Sequence, residues 1–208
     1  MDKQELAIIN ENYKSILAYE TKTAQIITSK IIEKPELSAW MVLMPIVFIL
    51  FIQRYQKYNE SSKGFSAGYL YTKKIALETA YRIYNYEISR EEASALVVEI
   101  VQKNPNAELT ILNIYNQQIK EIKLLSEHYL ALLATKKDSY NQMVVSHYQT
   151  EDNYLGFVNQ LAETEKEVTK ASTPTFKDVV EVSGIMEKVE KNLWELRFEE
   201  ARKFFTQG

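Results

Sequence analysis

A chain of 208 residues with a formal net charge of -3, a pI near 5.6 and no cysteine excludes several chemistries before any element is placed. The acidic balance argues against a nucleic-acid surface, since Lys73-Lys74 and Lys136-Lys137 are too small a phosphate footprint, and the lack of cysteine removes disulfides, thiol nucleophiles, zinc ribbons and iron–sulfur clusters. With five glycines and four prolines in the whole chain, sharp turns are few, and one main all-α domain of long helices is expected.

The first segment, from about residue 4 to 33, sets Leu6, Ile9, Tyr13, Ile16, Ile27 and Ile31 on three-and-four spacing, with a polar break around Glu20 and Lys22. It reads as an amphipathic helix. Charge throughout residues 1–36 argues against a cleavable signal peptide.

Next comes the run LSAWMVLMPIVFILFI over residues 37–52, with no charge between Glu36 and Arg54. Residues 37–53 lie at the lower edge of the roughly 17–25 that a spanning helix needs. Leu37, Val42, Leu43, Ile46, Phe48, Leu50 and Phe51 supply the apolar body, and Trp40, Tyr55 and Tyr58 supply rings suited to the two headgroup levels. Pro35 suits a first helical position, and Pro45 predicts a kink. The expectation is a single-pass membrane helix over residues 35–60. A re-entrant segment bent at Pro45 and a core helix buried on all sides are the alternatives. Arg54, Lys57, Lys63, Lys73 and Lys74 follow the run while Lys22, Lys30 and Lys34 precede it, which favours the carboxyl side as cytoplasmic.

After the polar NESSKG stretch, Tyr69, Ala76, Ala80, Ile83 and Tyr84 share one face. Lys73, Lys74 and Arg82 among them suit snorkelling at a membrane surface or at the rim of a bundle. Ser89 and Glu92 form a capping-box pattern that opens a short helix, carrying Ala95, Leu96, Val98 and Ile100 towards Asn104-Pro105. Leu109, Leu112, Tyr115, Ile119, Ile122, Tyr129 and Leu133 then keep a coiled-coil-like rhythm to the polar KKDS of 136–139, and Tyr140, Met143, His147, Tyr154, Phe157, Leu161 and Val168 resume it. An antiparallel hairpin joined at 136–139 buries both stripes.

Thr173-Pro174 reads as the cap and first position of a last helix running towards Phe205. That helix has two stripes: Val189, Leu193 and Leu196, and Trp194, Phe198, Ala201 and Phe205. Two stripes favour burial between several helices, with Trp194, Phe198 and Phe205 as the candidate face for a protein partner or self-association if they are not so buried.

Signatures of chemistry are sparse. His128 and His147 are the only histidines, and neither belongs to a Glu-x-x-His or HExxH motif. Glu121 with His128, and His147 with Glu151, have helical spacing that a metal or proton pair would need, but isolated pairs of this kind are common. Glu165 and Glu167 read as a solvated face, and the fourteen tyrosines mark no single site. No phosphate-binding or nucleophile-elbow motif occurs. Catalytic, cofactor and metal residues are therefore not expected.

The organisation read from the sequence is an amphipathic helix (1–34), an apolar membrane helix (35–60) and a helical-bundle domain (65–208). The function expected is that of a membrane-anchored scaffold that tethers or assembles partners, with lipid and protein contacts and no nucleic acid. A soluble bundle that releases a shielded apolar helix into membranes, as pore-forming bundles do, is the alternative. An enzyme at the membrane surface using His128 and His147 is the third reading.

Overall fold

The computed structural model describes residues 3–31, 61–85, 87–102, 107–176 and 180–206. Among them the chain forms α1 (Lys3–Ile31), α2 (Ser61–Tyr84), α3 (Arg90–Val101), α4 (Leu109–Leu133), α5 (Tyr140–Tyr148), α6 (Glu151–Ser172) and α7 (Val180–Thr206), with a 3-10 turn at Thr173–Phe176 and no strand. This is the all-α bundle of long helices that the spacing predicts. The apolar run, from Leu37 through Trp40 and Pro45 to Tyr55 and Tyr58, lies outside the described residues. Among the described residues no helix is long and apolar enough to cross a membrane.

Five long helices make the bundle. α1 and α2 are antiparallel: the Tyr81 hydroxyl donates to Asn10 Oδ1 at 2.8 Å, the Tyr13 and Tyr81 rings meet edge to face, and Tyr69 reaches Glu20 further along. α4 runs parallel to α2, with Thr72 and Lys73 opposite Glu121. α6 runs back against α4, so that Ile114 packs with Val168 and Ala171 at one end and His128 stacks on Phe157 at the other. α7 descends beside α1 and α6, placing Leu193 and Leu196 on Ile27 and Phe204 against Tyr154. α1 shares one core with the carboxyl-side helices: Ile9 and Ile16 join Leu77, Ile122, Leu125, Leu132 and Tyr154 in a continuous buried cluster. At about 1.5–3 kcal/mol for each fully buried large aliphatic side chain, this cluster dominates the favourable side of folding. Asn12 of α1 fastens the lower end by donating to the carbonyls of Leu133 and Thr135, at 3.3 and 2.7 Å, where α4 has run out of intrahelical donors.

Local signals hold where the chemistry is local. The Ser89 side chain accepts from the Glu92 amide at 3.2 Å, and Glu92 Oε2 accepts from the Ser89 amide at 2.7 Å, completing the expected capping box. The face that α3 buries is Ala93, Val97 and Val101. Ala95, expected inside, is exposed, because the four-residue step from the first buried turn fixes the stripe. α2 begins at Ser61, so Gly64 sits in its first turn and not in a loop; about 1 kcal/mol of lost helix propensity is tolerated in a helix this well packed.

The hairpin of α4 and α6 forms as expected, with an elbow that the stripe did not reveal. The run from Tyr140 to Val168 breaks at Gln149, whose φ is 65°. Thr150 caps α6 by accepting from the Asn153 amide at 3.2 Å, Asn153 Nδ2 donates to the Tyr148 carbonyl at 2.9 Å, and Glu151 and Asp152 sit in the positive first turn. The tripeptide Thr150-Glu151-Asp152 is the sequence signal for this start.

Thr173-Pro174 does the opposite of what was expected. Thr173 has helical backbone angles, its amide and its hydroxyl both donate to the Thr169 carbonyl, and it closes α6. Pro174 has no amide hydrogen to continue the ladder, so the chain tightens into one 3-10 turn. Among the described residues the last helix spans Val180–Thr206.

Replacing Gln149, which carries a side chain at positive φ, with glycine should stabilise the fold by about 1 kcal/mol. A higher urea midpoint at unchanged m-value is the expected result; an unchanged midpoint would show that this backbone stores no strain.

Candidate functional site

Polar residues occupy inward positions on all five long helices. On α7, Arg197 falls midway between Leu193 and Ala201, four residues from each, on the buried stripe. On α1, Glu20 follows Ile16 by four and precedes Ala24 and Ile27. On α4, Glu121 lies among Ile114, Gln118, Ile122 and Leu125, and on α2 Lys73 leads into Ala76, Leu77 and Ala80. Helical periodicity therefore carries these charges into the interior, where they meet.

Glu165 of α6 is the hub. Arg197 grips it with two parallel bonds, Nη1 to Oε2 at 2.6 Å and Nη2 to Oε1 at 2.9 Å, and Lys73 Nζ reaches Oε1 at 3.0 Å. Lys73 also donates to Glu121 Oε1 at 2.6 Å, where the Thr72 hydroxyl donates at 3.1 Å. The Lys73 ammonium stands 4.7 Å from the centre of the Tyr69 ring. The Tyr69 hydroxyl donates to Glu20 Oε2 at 3.1 Å, and the Tyr129 hydroxyl donates to Glu20 Oε1 at 2.8 Å. Lys73 is 4 % exposed and Arg197 5 %, so these are ion pairs in a dry interior and not a solvated rim.

Three carboxylates face two cations here. Burial pushes the Glu165 carboxyl up, but Arg197 and Lys73 outweigh it and hold the group at about 2. Burial opposes the charge of Lys73, and Glu121 and Glu165 overcome it, so the ammonium is held more firmly than a free lysine. Glu20 is different: burial raises its pKa, and Lys73 and the tyrosine hydroxyls offset only part of the rise. Gln118, one turn from Glu121 and 1 % exposed, has neither its amide nitrogen nor its oxygen partnered, a desolvation cost of about 1–3 kcal/mol for a buried unpaired group.

A second polar group lies towards the other end of α4. His128 is sandwiched against Phe157, with ring centroids 4.0 Å apart; its Nδ1 lies 2.8 Å from the Tyr148 hydroxyl and its Nε2 3.2 Å from the Tyr140 hydroxyl. Burial, with smaller contributions from His147 and Arg197, pushes its pKa down to about 3, so the ring is neutral near pH 7. Beside it the Tyr19 ring stacks on Tyr140, and the Tyr19 hydroxyl donates to Glu200 Oε2 at 2.6 Å.

These positions correct several expectations. Glu165, read as solvated, is the centre of the ion cluster, while Glu167 does stay at the surface, bridged to Lys170. Lys73, read as a snorkelling side chain, is buried and leaves the basic flank to its neighbours. Glu121 and His128 serve separate networks and form no pair. His147 is exposed, its ring edge-on to Tyr148, and Glu151 lies in the first turn of α6. Among the described residues no group of acidic and histidine side chains could hold a metal ion. Of the candidate partner face, Trp194 is 41 % exposed, stacked on Phe198 at 5.0 Å with its Nε1 donating to Asn159 Oδ1 at 3.4 Å. Phe205 is half-buried, its ring beside Tyr154, and belongs to the core. The surface apolar patch is therefore Trp194 with Phe198.

No family model, curated protein or solved structure matches this chain. The arrangement itself defines its chemistry: carboxylates satisfied by cations and hydroxyls across helices, and a neutral imidazole enclosed by rings. Both are suited to holding helices in register.

Two outcomes test this. Arg197→Met strands Glu165 with Lys73 alone and should cost about 3–5 kcal/mol in chemical unfolding; a loss under 1 kcal/mol would mean that the guanidinium is not needed there. The second outcome concerns pH. His128 has a folded pKa of about 3, below the unfolded value of about 6.5, so its stabilising contribution is complete above that value. It is lost as pH falls towards 3, at up to about 1.4 kcal/mol per pH unit. His128→Phe keeps the stack and should flatten this slope between pH 6.5 and 4.5; identical slopes for the two proteins would refute the neutral-histidine assignment.

Proposed function

We propose that this chain is a membrane-attached helical bundle that works by holding partners together and not by catalysis. The observation that carries the reading is the charge-free run from Leu37 to Ile52, set between α1 and α2, two helices locked into one bundle by Glu20 and Lys73. The titratable groups weigh against surface catalysis. His128 is neutral and enclosed, and Glu165 is bonded by two cations. A partner would meet the exposed Trp194 ring, backed by the half-buried Phe198 on which it stacks, whose aromatic area suits a contact centre.

The alternative use of the same apolar run is a water-soluble form that releases it into a bilayer. Fractionation of the expressed full chain separates the two. Attachment predicts a membrane pellet that resists alkaline carbonate and dissolves in detergent. A monodisperse, detergent-free protein that makes dye-loaded vesicles leak would replace attachment with release, and one that does neither would place the run in a soluble core.

A further inference from the structure

α1 and α2 touch along most of their length in opposite directions. Asn10 and Tyr13 meet Tyr81, Glu20 meets Tyr69, and Tyr69 packs against the small apolar cluster that contains Ile27. Four residues after Ile27, α1 ends at Ile31; eight residues before Tyr69, α2 begins at Ser61. Both therefore finish at one end of the bundle, and packed helices lie about 8–10 Å apart. The chain between them, residues 32–60, contains the whole apolar run.

That arrangement conflicts with a single crossing. One crossing sets its flanks about 30 Å apart on opposite faces of the hydrocarbon, whereas α1 buries Ile9 and Ile16 in the same core as α2, α4 and α6. Its Glu20 accepts hydrogen bonds from both Tyr69 and Tyr129. Two full crossings need roughly 40 helical residues, more than the interval holds.

A second observation marks the same end. Leu109, the first residue of α4, is 86 % exposed. Because α4 runs parallel to α2 with Glu121 opposite Lys73, Leu109 stands at the level of Ser61, each twelve residues before its partner in that pair. An exposed leucine thus stands at the end of the bundle that also carries the described limits of α1 and α2.

From this geometry we infer that the bundle, α1 and α7 included, stands wholly on one face of a bilayer, with the end that carries Leu109 towards lipid. The inference rests on membrane attachment and replaces the single pass expected from the sequence. α1 and α7 then lie on the same side, and counting basic residues before and after the run no longer orients the protein.

The absence of cysteine makes the test clean. Glu5→Cys on α1 and Lys203→Cys on α7, both exposed sites, are introduced singly into the full chain and treated with a membrane-impermeant maleimide in sealed right-side-out and inside-out vesicles from expressing cells. Both should label in one vesicle orientation and both be protected in the other. Labelling of the two in opposite orientations would overturn the one-sided arrangement and leave attachment standing. Loss of the protein from carbonate-washed vesicles, seen before any label is added, would instead defeat attachment itself. A fluorophore on Leu109→Cys should be quenched by a headgroup-level lipid quencher several-fold more than one on Lys203→Cys; equal quenching would overturn the end-on placement.

Discussion

The two-pronged grip of Arg197 on Glu165, shared with Lys73 and Glu121, is the constraint on which the rest of the bundle depends. Hydrophobic burial is indifferent to small slides of one helix along another; a charge in a dry interior is not. Moving α7 by one turn would carry the guanidinium about 5 Å from its carboxylate, leaving Arg197 without its partner and Glu165 with Lys73 alone. The cluster draws on α2, α4, α6 and α7, and Glu20 brings in α1 through the tyrosine hydroxyls. Stability in the absolute sense comes from the surrounding leucines, isoleucines and tyrosines. What the ions contribute is one alignment out of several that those side chains would accept.

Around that centre the structure uses ordinary local devices to set lengths and exits. Ser89, Thr150 and Thr173 start or stop helices, Asn12 satisfies the end of α4, and Gln149 takes a positive φ to turn the chain from α5 into α6. The His128 cage and the Tyr19–Tyr140 stack lock α5 against its neighbours. The 29 residues of α1, at about 1.5 Å each, give the bundle a long axis of about 44 Å.

The fold class, the capping box and the antiparallel pairing of α4 with α6 were legible in the sequence because each is written in spacing or in neighbouring residues. The ion cluster was not, although a trace of it was there. Arg197 interrupts the stripe between Leu193 and Ala201, and Glu20 interrupts the one between Ile16 and Ile27; a charge at an inward position is either an error of phase or half of a pair. Only the partners decide, and Glu165 stands 92 residues from Lys73 and 32 from Arg197. Thr173-Pro174 failed for a different reason. The same dipeptide that suits a helix start also ends a helix when α-helical geometry has already reached it, and the packing of α6, not the dipeptide, determined which applied.

The order of the cluster's members along the chain has a consequence for synthesis. A ribosome delivers Glu20, Lys73, Glu121 and Glu165 before it delivers Arg197. Until α7 emerges, Lys73 alone stands between Glu121 and Glu165, and Glu165 lacks the two-pronged bond that Arg197 supplies. Domains otherwise begin to collapse as soon as their helices are made. Of the five charged members, Arg197 is the one made after the rest, so the second grip on Glu165 waits for α7.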